Sequence, residues 1–278
     1  MLGGSAALRA QRSLGPVKVV GFSHRASTRK RARGLSVAGE IVDDLGSSVV
    51  GSDIVILATP IYTFEKIFAE IRTRLKAGAI VTDVGSTKVL PHRWAAKQLP
   101  KNVYYVGSHP IAGSEQRGVE FSRDDLFEQA DCILTVTKNT NRRAVKTLKD
   151  FWMRMGCRVK LMSPAEHDRV FANVSHLPHI TAAALLNANG PKELGYAGKG
   201  FMDTSRVASG PANIWVDILL ANARNCGKAI ERLKMELEEF KKALEAGDGA
   251  RVEKLLERAR DRRAGLIEDK LRRRELIS

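Results

Sequence analysis

The sequence predicts an α/β domain with a mostly parallel sheet, followed by an all-helical domain. Short apolar, β-branched runs recur through the first part of the chain, and most of them are separated by stretches long enough for a helix. These runs stop after Ser163-Pro164, and apolar residues then recur at helical spacing. We therefore predict a sheet domain at residues 1–163 and a helical domain at residues 164–278.

The predicted strands are apolar runs that end at polar turns. The run at residues 53–60 is nearly continuous, which is typical of a strand covered on both faces. The predicted strands lie at residues 17–22, 53–60, 79–86, 103–106, 132–136 and 158–162. No apolar run precedes residues 17–22, where the chain instead has a helix-compatible stretch at residues 6–14. We therefore expect the first strand of the sheet to be missing.

The second domain is predicted to consist of helices. Residues 166–187 form one predicted helix, with Pro178 as the place for a kink. A Gly- and Ser-rich stretch at residues 195–211 predicts a loop or short helical turns, and residues 212–244 form a long amphipathic helix before the Gly247-Asp-Gly249 break. The apolar faces of these helices are larger than the packing of one small helical bundle requires. This favours a homodimer, with an intramolecular bundle as the alternative.

The composition is that of an ordinary globular protein with a basic surface. Its 278 residues are 44% hydrophobic and 28% charged, and the formal net charge is +15. The basic residues are not interleaved with aromatic ones, which argues against nucleic-acid binding. No apolar run approaches a membrane span, and no signal peptide opens the chain. The three cysteines, Cys132, Cys157 and Cys226, are odd in number and widely spaced. This spacing fits a protein of the reducing cytoplasm better than one with a disulfide framework or a zinc site.

Two segments near the start indicate a dinucleotide site of the Rossmann type. Gly3 and Gly4 look like the end of the glycine-rich turn whose helix faces a pyrophosphate. After the run at residues 17–22, Ser23, Arg25 and Thr28 stand where a carboxylate would bind the ribose of NAD. Hydroxyl and guanidinium groups suit a 2′-phosphate, so we predict NADP in preference to NAD. A basic surface turn is the alternative.

Two further strand ends belong to the predicted cofactor site. Thr59 and Pro60 end the second predicted strand and would lie along the cofactor. Ser86 ends the next strand, where it would reach both the nicotinamide and the reacting carbon. The same hydroxyl could instead cap the helix that follows, and the two roles are compatible.

The segment Gly107-Ser-His-Pro-Ile-Ala-Gly-Ser-Glu115 is the strongest catalytic signal in the chain. It follows the apolar run at residues 103–106, so we predict a loop at the carboxyl end of a strand, where open α/β sheets bind ligands. His109 supplies an imidazole, which is a neutral proton acceptor near pH 7.

Five segments, taken in order, make the chain resemble the prephenate/arogenate dehydrogenase family of tyrosine biosynthesis. They are Asp83-Val-Gly-Ser-Thr-Lys88, the segment around His109, Glu166-His-Asp168, Ser175-His-Leu-Pro-His179, and Gly200-Phe-Met-Asp-Thr-Ser-Arg206 with Trp215 after it. The resemblance implies a Rossmann-type domain and a helical dimerisation domain. It also implies oxidative decarboxylation of prephenate or arogenate, with hydride passing to NADP and loss of carbon dioxide.

The resemblance also implies roles for particular residues. His109 would take the hydroxyl proton and Ser86 would share its hydrogen bond. Arg206 would bind a substrate carboxylate, and further substrate contacts would come from His176, Ser114, Glu115 and Trp215. His179 would support its helix. No metal site is expected, because His176 and His179 lack further ligands at suitable spacing. Met202 departs from the family at a position that is often basic.

Two other functions remain open at this stage. One is a different NADP-dependent hydroxyacid or imine reductase, although such enzymes usually carry a catalytic Lys or Asp in the helical domain. The other is a truncated, non-catalytic interaction protein that keeps only its helical dimer.

Overall fold

The computed structural model describes residues 1–112 and 118–273. By packing, the chain divides into two units, Met1–Ala223 and Arg224–Ser278. The described strands all lie in the first unit: β1 (Val20–Gly21), β2 (Glu40–Ile41), β3 (Ile54–Leu57), β4 (Ile80–Asp83), β5 (Tyr104–Tyr105), β6 (Gly107–Pro110), β7 (Asp131–Thr135) and β8 (Arg158–Met162). The predicted domain boundary after residue 163 falls inside the first unit and stays a prediction.

The helices follow the same order along the chain. They are α1 (Leu2–Ser13), α2 (Ala26–Gly34), α3 (Leu45–Val49), α4 (Phe64–Ile71), α5 (Val89–Gln98), α6 (Arg142–Arg154), α7 (Pro164–Phe171), α8 (Leu177–Asn187), α9 (Pro191–Leu194), α10 (Lys199–Ser205), α11 (Ala212–Ala221), α12 (Ala223–Glu245) and α13 (Gly249–Arg272). Short 3₁₀ turns lie at Ile61–Thr63, Val119–Phe121 and Arg206–Ser209.

The strands form three ladders that are parallel with one exception. Strands β1 and β2 pair in one ladder, and β3, β4 and β5 pair in a second, all parallel. In the third, β6 is antiparallel to β7, which is parallel to β8. Only Val106 separates β5 from β6, and its N–H donates to the Val81 carbonyl at 3.2 Å. The chain therefore moves from pairing with β4 to pairing with β7 within one residue.

Helix α1 is the first element of the described chain. Among the described residues no strand precedes α1, and the β1–β2 ladder is separate from the ladder that contains β3. Ala6 and Ala10 of α1 pack into a core built around Phe127, Leu134 and Trp152. A second core centres on Phe64, Phe68 and Val81. The prediction of a mostly parallel sheet domain followed by helices is confirmed.

The two long predicted helices are both interrupted. The first breaks into α7, a π-helical turn at Ala172–His176, and α8. Pro178 lies in the first turn of α8, where its missing N–H disrupts the regular ladder just upstream. The second breaks at Asn222, whose φ of −122° ends α11 before α12 begins. The kink predicted at Pro178 lies close to the first break, whereas the single amphipathic period of residues 212–244 did not reveal the second.

The second unit contains most of α12 and all of the described part of α13. Gly247, with a φ of 64°, turns the chain between them, and the Asp248 side chain caps α13 by accepting from the Arg251 N–H at 2.9 Å. Ion pairs Arg251–Glu239 and Arg258–Glu236, each at 2.5 Å, join the two helices. In the described part of the chain, no helix is long and apolar enough to cross a membrane.

Candidate active site

His109 lies within strand β6 rather than in a loop after a strand, so that part of the prediction is wrong. Its backbone pairs with Ile133 of β7 in the antiparallel ladder. Gly107 permits the approach, because a Cβ at that position would lie 2.6 Å from Thr135 Oγ1 and 3.0 Å from Lys88 Cδ. The missing side chain therefore lets β6 enter the sheet and carry His109 to its edge.

A second histidine and a carboxylate extend a chain of hydrogen bonds from His109. His109 Nδ1 is 2.8 Å from His167 Nε2, and His167 Nδ1 is 2.8 Å from Asp168 Oδ1. The Phe171 ring stacks on His167 with centroids 4.4 Å apart and lies 4.7 Å from the His109 ring. Three residues of α7 thereby hold the catalytic candidate of β6 in place.

Asp168 also caps helix α5. Its Oδ1 accepts from the Lys88 N–H at 2.7 Å and its Oδ2 from the Val89 N–H at 2.9 Å. This excludes Ser86 as the cap, because α5 begins at Val89 and Lys88 occupies the capping position. Ser86 is half-buried, and its hydroxyl has no hydrogen-bond partner within residues 1–112 and 118–273. It therefore remains available to a ligand.

A buried ion pair lies directly beneath this cap. The Lys88 ammonium contacts Asp83, and both side chains are 0% exposed. Asp83 also accepts a hydrogen bond from the Tyr105 hydroxyl at 2.6 Å and one from the Gly85 N–H at 2.7 Å. Such a pair is stable only when both charges are well satisfied, as they are here.

Burial keeps the histidines of this cluster neutral. Desolvation lowers the pKa of His109 well below 6.5, and the nearby His167 and Lys88 lower it further. Burial likewise lowers the pKa of His92 to about 4 and that of His176 to about 4. The His109 side chain is half-buried, and the buried Lys88 ammonium and the neighbouring imidazoles disfavour a positive charge on it. The imidazole of His109 is therefore unprotonated at neutral pH.

His176 lies in the interior at the end of the π-helical turn. Its Nδ1 is 3.2 Å from Asn222 Nδ2, and the same Asn222 amide donates to the backbone carbonyl of Asp168 at 2.7 Å. The break between α11 and α12 thus places Asn222 between His176 and Asp168. His176 is 1% exposed and packs in the interior next to Asn222. Its contact with substrate stays a prediction.

Trp215 and His179 form a stacked pair on the neighbouring helices. Their ring centroids are 3.6 Å apart with an interplanar angle of 10°. Gly210 makes room for them, because a Cβ there would lie 2.4 Å from Trp215 Nε1. The stack agrees with a supporting role for His179, and the His176 ring lies 6.3 Å from the Trp215 ring.

The remaining predicted substrate residues lie on or near short helical turns. Arg206 opens the 3₁₀ turn at Arg206–Ser209 and is exposed. Met202 on α10 is also exposed. Ser114 and Glu115 lie outside the described residues.

The predicted cofactor residues lie at the start of α1, after β1 and after β3. Gly3 and Gly4 lie in the first turn of α1. Both are close-packing positions, since a Cβ at Gly3 would lie 3.0 Å from Ala58 Cβ and one at Gly4 would lie 2.1 Å from Ser122 Oγ. Thr59 and Pro60 follow β3 and are exposed, with Thr59 Oγ1 2.7 Å from Thr63 Oγ1.

The basic segment after β1 contains one guanidinium without an ion-pair partner and several that are paired. Arg29 contacts Asp43 at 2.6 Å and the Ser23 carbonyl at 2.6 Å, and Arg31 contacts Glu120 at 2.8 Å. Arg25 is exposed at the N-cap of α2, and its guanidinium has no polar partner among the described residues. Thr28 is half-buried one turn further along α2.

Comparison with protein-family models accounts for most of the chain. The model described as "Prephenate dehydrogenase, nucleotide-binding domain" matches residues 6–161, and the one described as "Prephenate dehydrogenase, dimerization domain" matches residues 163–258. The chain belongs to the prephenate dehydrogenase family. It is therefore an oxidoreductase of the NAD(P)-dependent class, and its dimerization domain favours a homodimer.

Individual members of the prephenate dehydrogenase family are similar along nearly the whole chain. The cyclohexadienyl dehydrogenase of Zymomonas mobilis is 32% identical over 88% of this chain and 86% of its own. The prephenate dehydrogenase of Bacillus subtilis is 32% identical over 96% of this chain and 74% of its own. The crystal structure of Aquifex aeolicus prephenate dehydrogenase with hydroxyphenyl propionate and NAD⁺ has a TM-score of 0.89 and 34% identity, covering 95% of this chain and 94% of that one.

The sequence left four contributors to the site without a role. His167 and Asp168 carried part of the family resemblance but received no role, and Lys88 was treated as the end of a motif. A usable signal was present, because a carboxylate next to an imidazole can accept a hydrogen bond from its N–H, as Asp168 does from His167. Asn222 left no such signal, since its role depends on a helix break.

Proposed function

We propose that this chain oxidatively decarboxylates prephenate or arogenate as a cytoplasmic homodimer, with NADP as the preferred hydride acceptor. The observation that carries the proposal is the state of His109. Its Nδ1 is engaged by His167 at 2.8 Å, so Nε2 is the nitrogen left for a substrate. Burial keeps the imidazole neutral, which is the form that accepts a proton.

The residues after β1 fit the adenosine end of NADP. The Arg25 guanidinium is exposed and uncommitted at the N-cap of α2, whose nine residues present free N–H groups at this end. A 2′-phosphate there would receive charge-assisted hydrogen bonds from Arg25, with Ser23 and Thr28 beside it. The family name and the NAD⁺ bound by the Aquifex relative support a dinucleotide, and Arg25 supports NADP over NAD.

Gly3, Gly4, Thr59 and Pro60 would lie along the rest of the dinucleotide. The exposed edge after β3 supports this assignment, because Ala58, Thr59 and Pro60 leave that strand end uncovered. The close approach of Gly3 to Ala58 brings the first turn of α1 to the same edge. When bound, the nicotinamide supplies the acceptor for the hydride.

The proton of the reaction goes to His109. As hydride leaves the ring carbon that bears the hydroxyl, His109 Nε2 accepts the hydroxyl proton, and the carbon–oxygen bond becomes a carbonyl. The ring carboxylate then leaves as carbon dioxide, and its bonding electrons move through the ring to the carbonyl oxygen. This completes an aromatic ring as a phenolate, to which His109 can return the proton. The Ser86 hydroxyl, which is half-buried beside the start of α5, would share the hydrogen bond of the reacting oxygen. Positioned proton acceptance of this kind contributes about 10²–10⁴-fold.

The carboxylate of the substrate requires a cation, and Arg206 is proposed to bind it. Its planar guanidinium suits a carboxylate bidentately. We assign further substrate contacts to His176, Trp215, Ser114 and Glu115 from their places in the family motifs. The stack of Trp215 on His179 would present a rigid aromatic edge to a ring-shaped substrate.

The proposal is tested by following nicotinamide reduction with each of the four pairings of prephenate or arogenate with NADP or NAD. We expect NADP reduction with at least one of the two substrates, and a lower kcat/KM with NAD. Folding and cofactor binding are checked separately by melting with and without NADP. A folded chain that reduces neither cofactor with either substrate would overturn the proposal.

A further inference from the structure

We propose that Asp168, acting through His167, sets the tautomer of His109 and leaves its Nε2 unprotonated toward the substrate. This inference rests on the proposed function, in which His109 is the proton acceptor. It makes His167 and Asp168 positioning residues, because neither of them is assigned a contact with substrate or cofactor.

The direction of the hydrogen bonds follows from the carboxylate. Asp168 Oδ1 can only accept, so His167 Nδ1, at 2.8 Å, must carry a proton and donate. A neutral His167 then has its lone pair on Nε2, which lies 2.8 Å from His109 Nδ1. His109 Nδ1 must therefore donate, and the lone pair of a neutral His109 is on Nε2. One carboxylate thus fixes the protons of both imidazoles.

Asp168 is fixed in place at both its carboxylate and its backbone. Its two carboxylate oxygens accept from the Lys88 and Val89 N–H groups at 2.7 and 2.9 Å. Its backbone carbonyl accepts from Asn222 Nδ2 at 2.7 Å, and the residue is 1% exposed. The carboxylate cannot rotate without losing its hydrogen bonds to the first N–H groups of α5. It therefore continues to accept from His167 throughout the reaction.

The same arrangement stabilises the charge that catalysis creates. After the proton arrives at His109 Nε2, the imidazolium donates from Nδ1 to His167, and His167 donates to the Asp168 carboxylate. Lys88, His92 and His176 also face this cluster, and they favour its neutral state. The Lys88 charge is offset by Asp83, which it contacts directly. Asp168 is the negative group that favours the protonated intermediate.

Packing alone predicts a different outcome for His167. Its ring stacks on Phe171 at 4.4 Å, so any replacement that disturbs the stack lowers stability. A purely structural role requires no particular hydrogen-bond acceptor at this position. A pair of variants of similar size, one with an acceptor and one without, separates the two roles.

The test compares His167→Gln, whose amide oxygen can replace the imidazole acceptor, with His167→Leu, which has none. The first readout is the ¹⁵N spectrum of histidine-labelled protein, with the His109 signals assigned by their loss in His109→Asn. We expect the Nδ1–H tautomer of His109 in the wild type and in His167→Gln, and its loss in His167→Leu. The wild-type spectrum does not depend on either His167 variant folding, and an Nε2–H tautomer of His109 there would overturn the inference.

The second readout is the split between kcat and KM. We expect kcat to fall by about 10-fold or less in His167→Gln and by about 10²–10³-fold in His167→Leu, with the KM for NADP nearly unchanged in both. Equal losses in the two variants would also overturn the inference. If the wild type proves inactive, the proposed function fails, and the ¹⁵N spectrum still decides the tautomer.

Discussion

The carboxylate of Asp168 accepts a hydrogen bond from the backbone N–H of Val89 at 2.9 Å, across 79 positions of the chain. A residue of α7 therefore caps α5, which has no capping side chain of its own. Because His167 precedes Asp168 and contacts His109, the cap and the positioning of the proton acceptor depend on the same turn of helix. Loss of the carboxylate should affect both.

Replacing Asp168 with Asn should lower stability and activity together. The amide keeps its oxygen toward His167 and turns its NH₂ toward the Val89 N–H, which leaves buried donors facing each other. We expect the free energy of unfolding in urea to fall by about 1–3 kcal/mol and kcat to fall by about 10–100-fold. Ser163→Ala is the matched control, because Ser163 caps α7 by accepting from the Glu166 N–H at 3.2 Å. It should lower stability by about 1 kcal/mol and leave kcat unchanged.

Gly107 should not tolerate a side chain. In Gly107→Ala the new Cβ would lie 2.6 Å from Thr135 Oγ1 and 3.0 Å from Lys88 Cδ, both in a packed interior. We expect a loss of about 1–3 kcal/mol in the free energy of unfolding, together with reduced kcat as β6 shifts. Gly34→Ala is the control, since nothing lies within 4 Å of its added Cβ. A fully stable and active Gly107→Ala would show that β6 does not need this close approach.

Arg25 should determine the preference for NADP. Removing a charge-assisted contact to the 2′-phosphate should lower kcat/KM for NADP by about 10–100-fold in Arg25→Ala and leave kcat/KM for NAD within a few-fold. Lys30→Ala changes the net charge equally on the same helix, away from its N-terminus, and should affect both cofactors little. Equal losses for NADP and NAD in Arg25→Ala would reject the 2′-phosphate role.

The free energy of unfolding should decline steeply as the pH falls below about 6.5, the pKa of an ordinary histidine. Burial, aided by Lys88, lowers the pKa of His92 to about 4 in the folded chain, whereas the unfolded chain retains about 6.5. Above pH 6.5 neither state binds the proton, and between pH 6.5 and 4 only the unfolded state does. Each such histidine therefore removes about 1.4 kcal/mol of stability per pH unit in this window.

The contribution of His92 can be isolated by substitution. In His92→Gln the slope of the unfolding free energy between pH 6 and 4.5, measured by urea titrations, should be shallower by about 1.4 kcal/mol per pH unit. The amide can still reach Thr135 Oγ1, which lies 2.9 Å from His92 Nε2. An unchanged slope would mean that His92 titrates alike in the folded and unfolded chains.

The fold was largely predictable because its strands are short apolar runs. The strand at Arg158–Met162 was predicted with its bounds, and five other predicted runs contain the observed strands or overlap them closely. The short strand at Glu40–Ile41 lacks an apolar run, and Gly107–Pro110 contains Gly, Ser and Pro, which disfavour strands. Tertiary pairing with β7 overrides that propensity, so local sequence could not reveal it.

The site was predictable where one residue type carries the chemistry. His109 was identified because an imidazole near a strand end is a candidate base, and the family motif supported it. The hydrogen bonds from His109 to His167 and from Asn222 to Asp168 join residues 58 and 54 positions apart. Such contacts depend on how α7 packs against the sheet and on the break at Asn222, and neither has a local signature.

The role of His109 as the proton acceptor is the central claim, and His109→Asn tests it most directly. Turnover of the preferred substrate and the Kd for NADP should be measured on the same preparation. We predict that kcat falls by about 10²–10⁴-fold while the Kd for NADP stays within a few-fold of the wild type. A variant that folds, binds NADP and turns over within a few-fold of the wild-type rate would contradict the account.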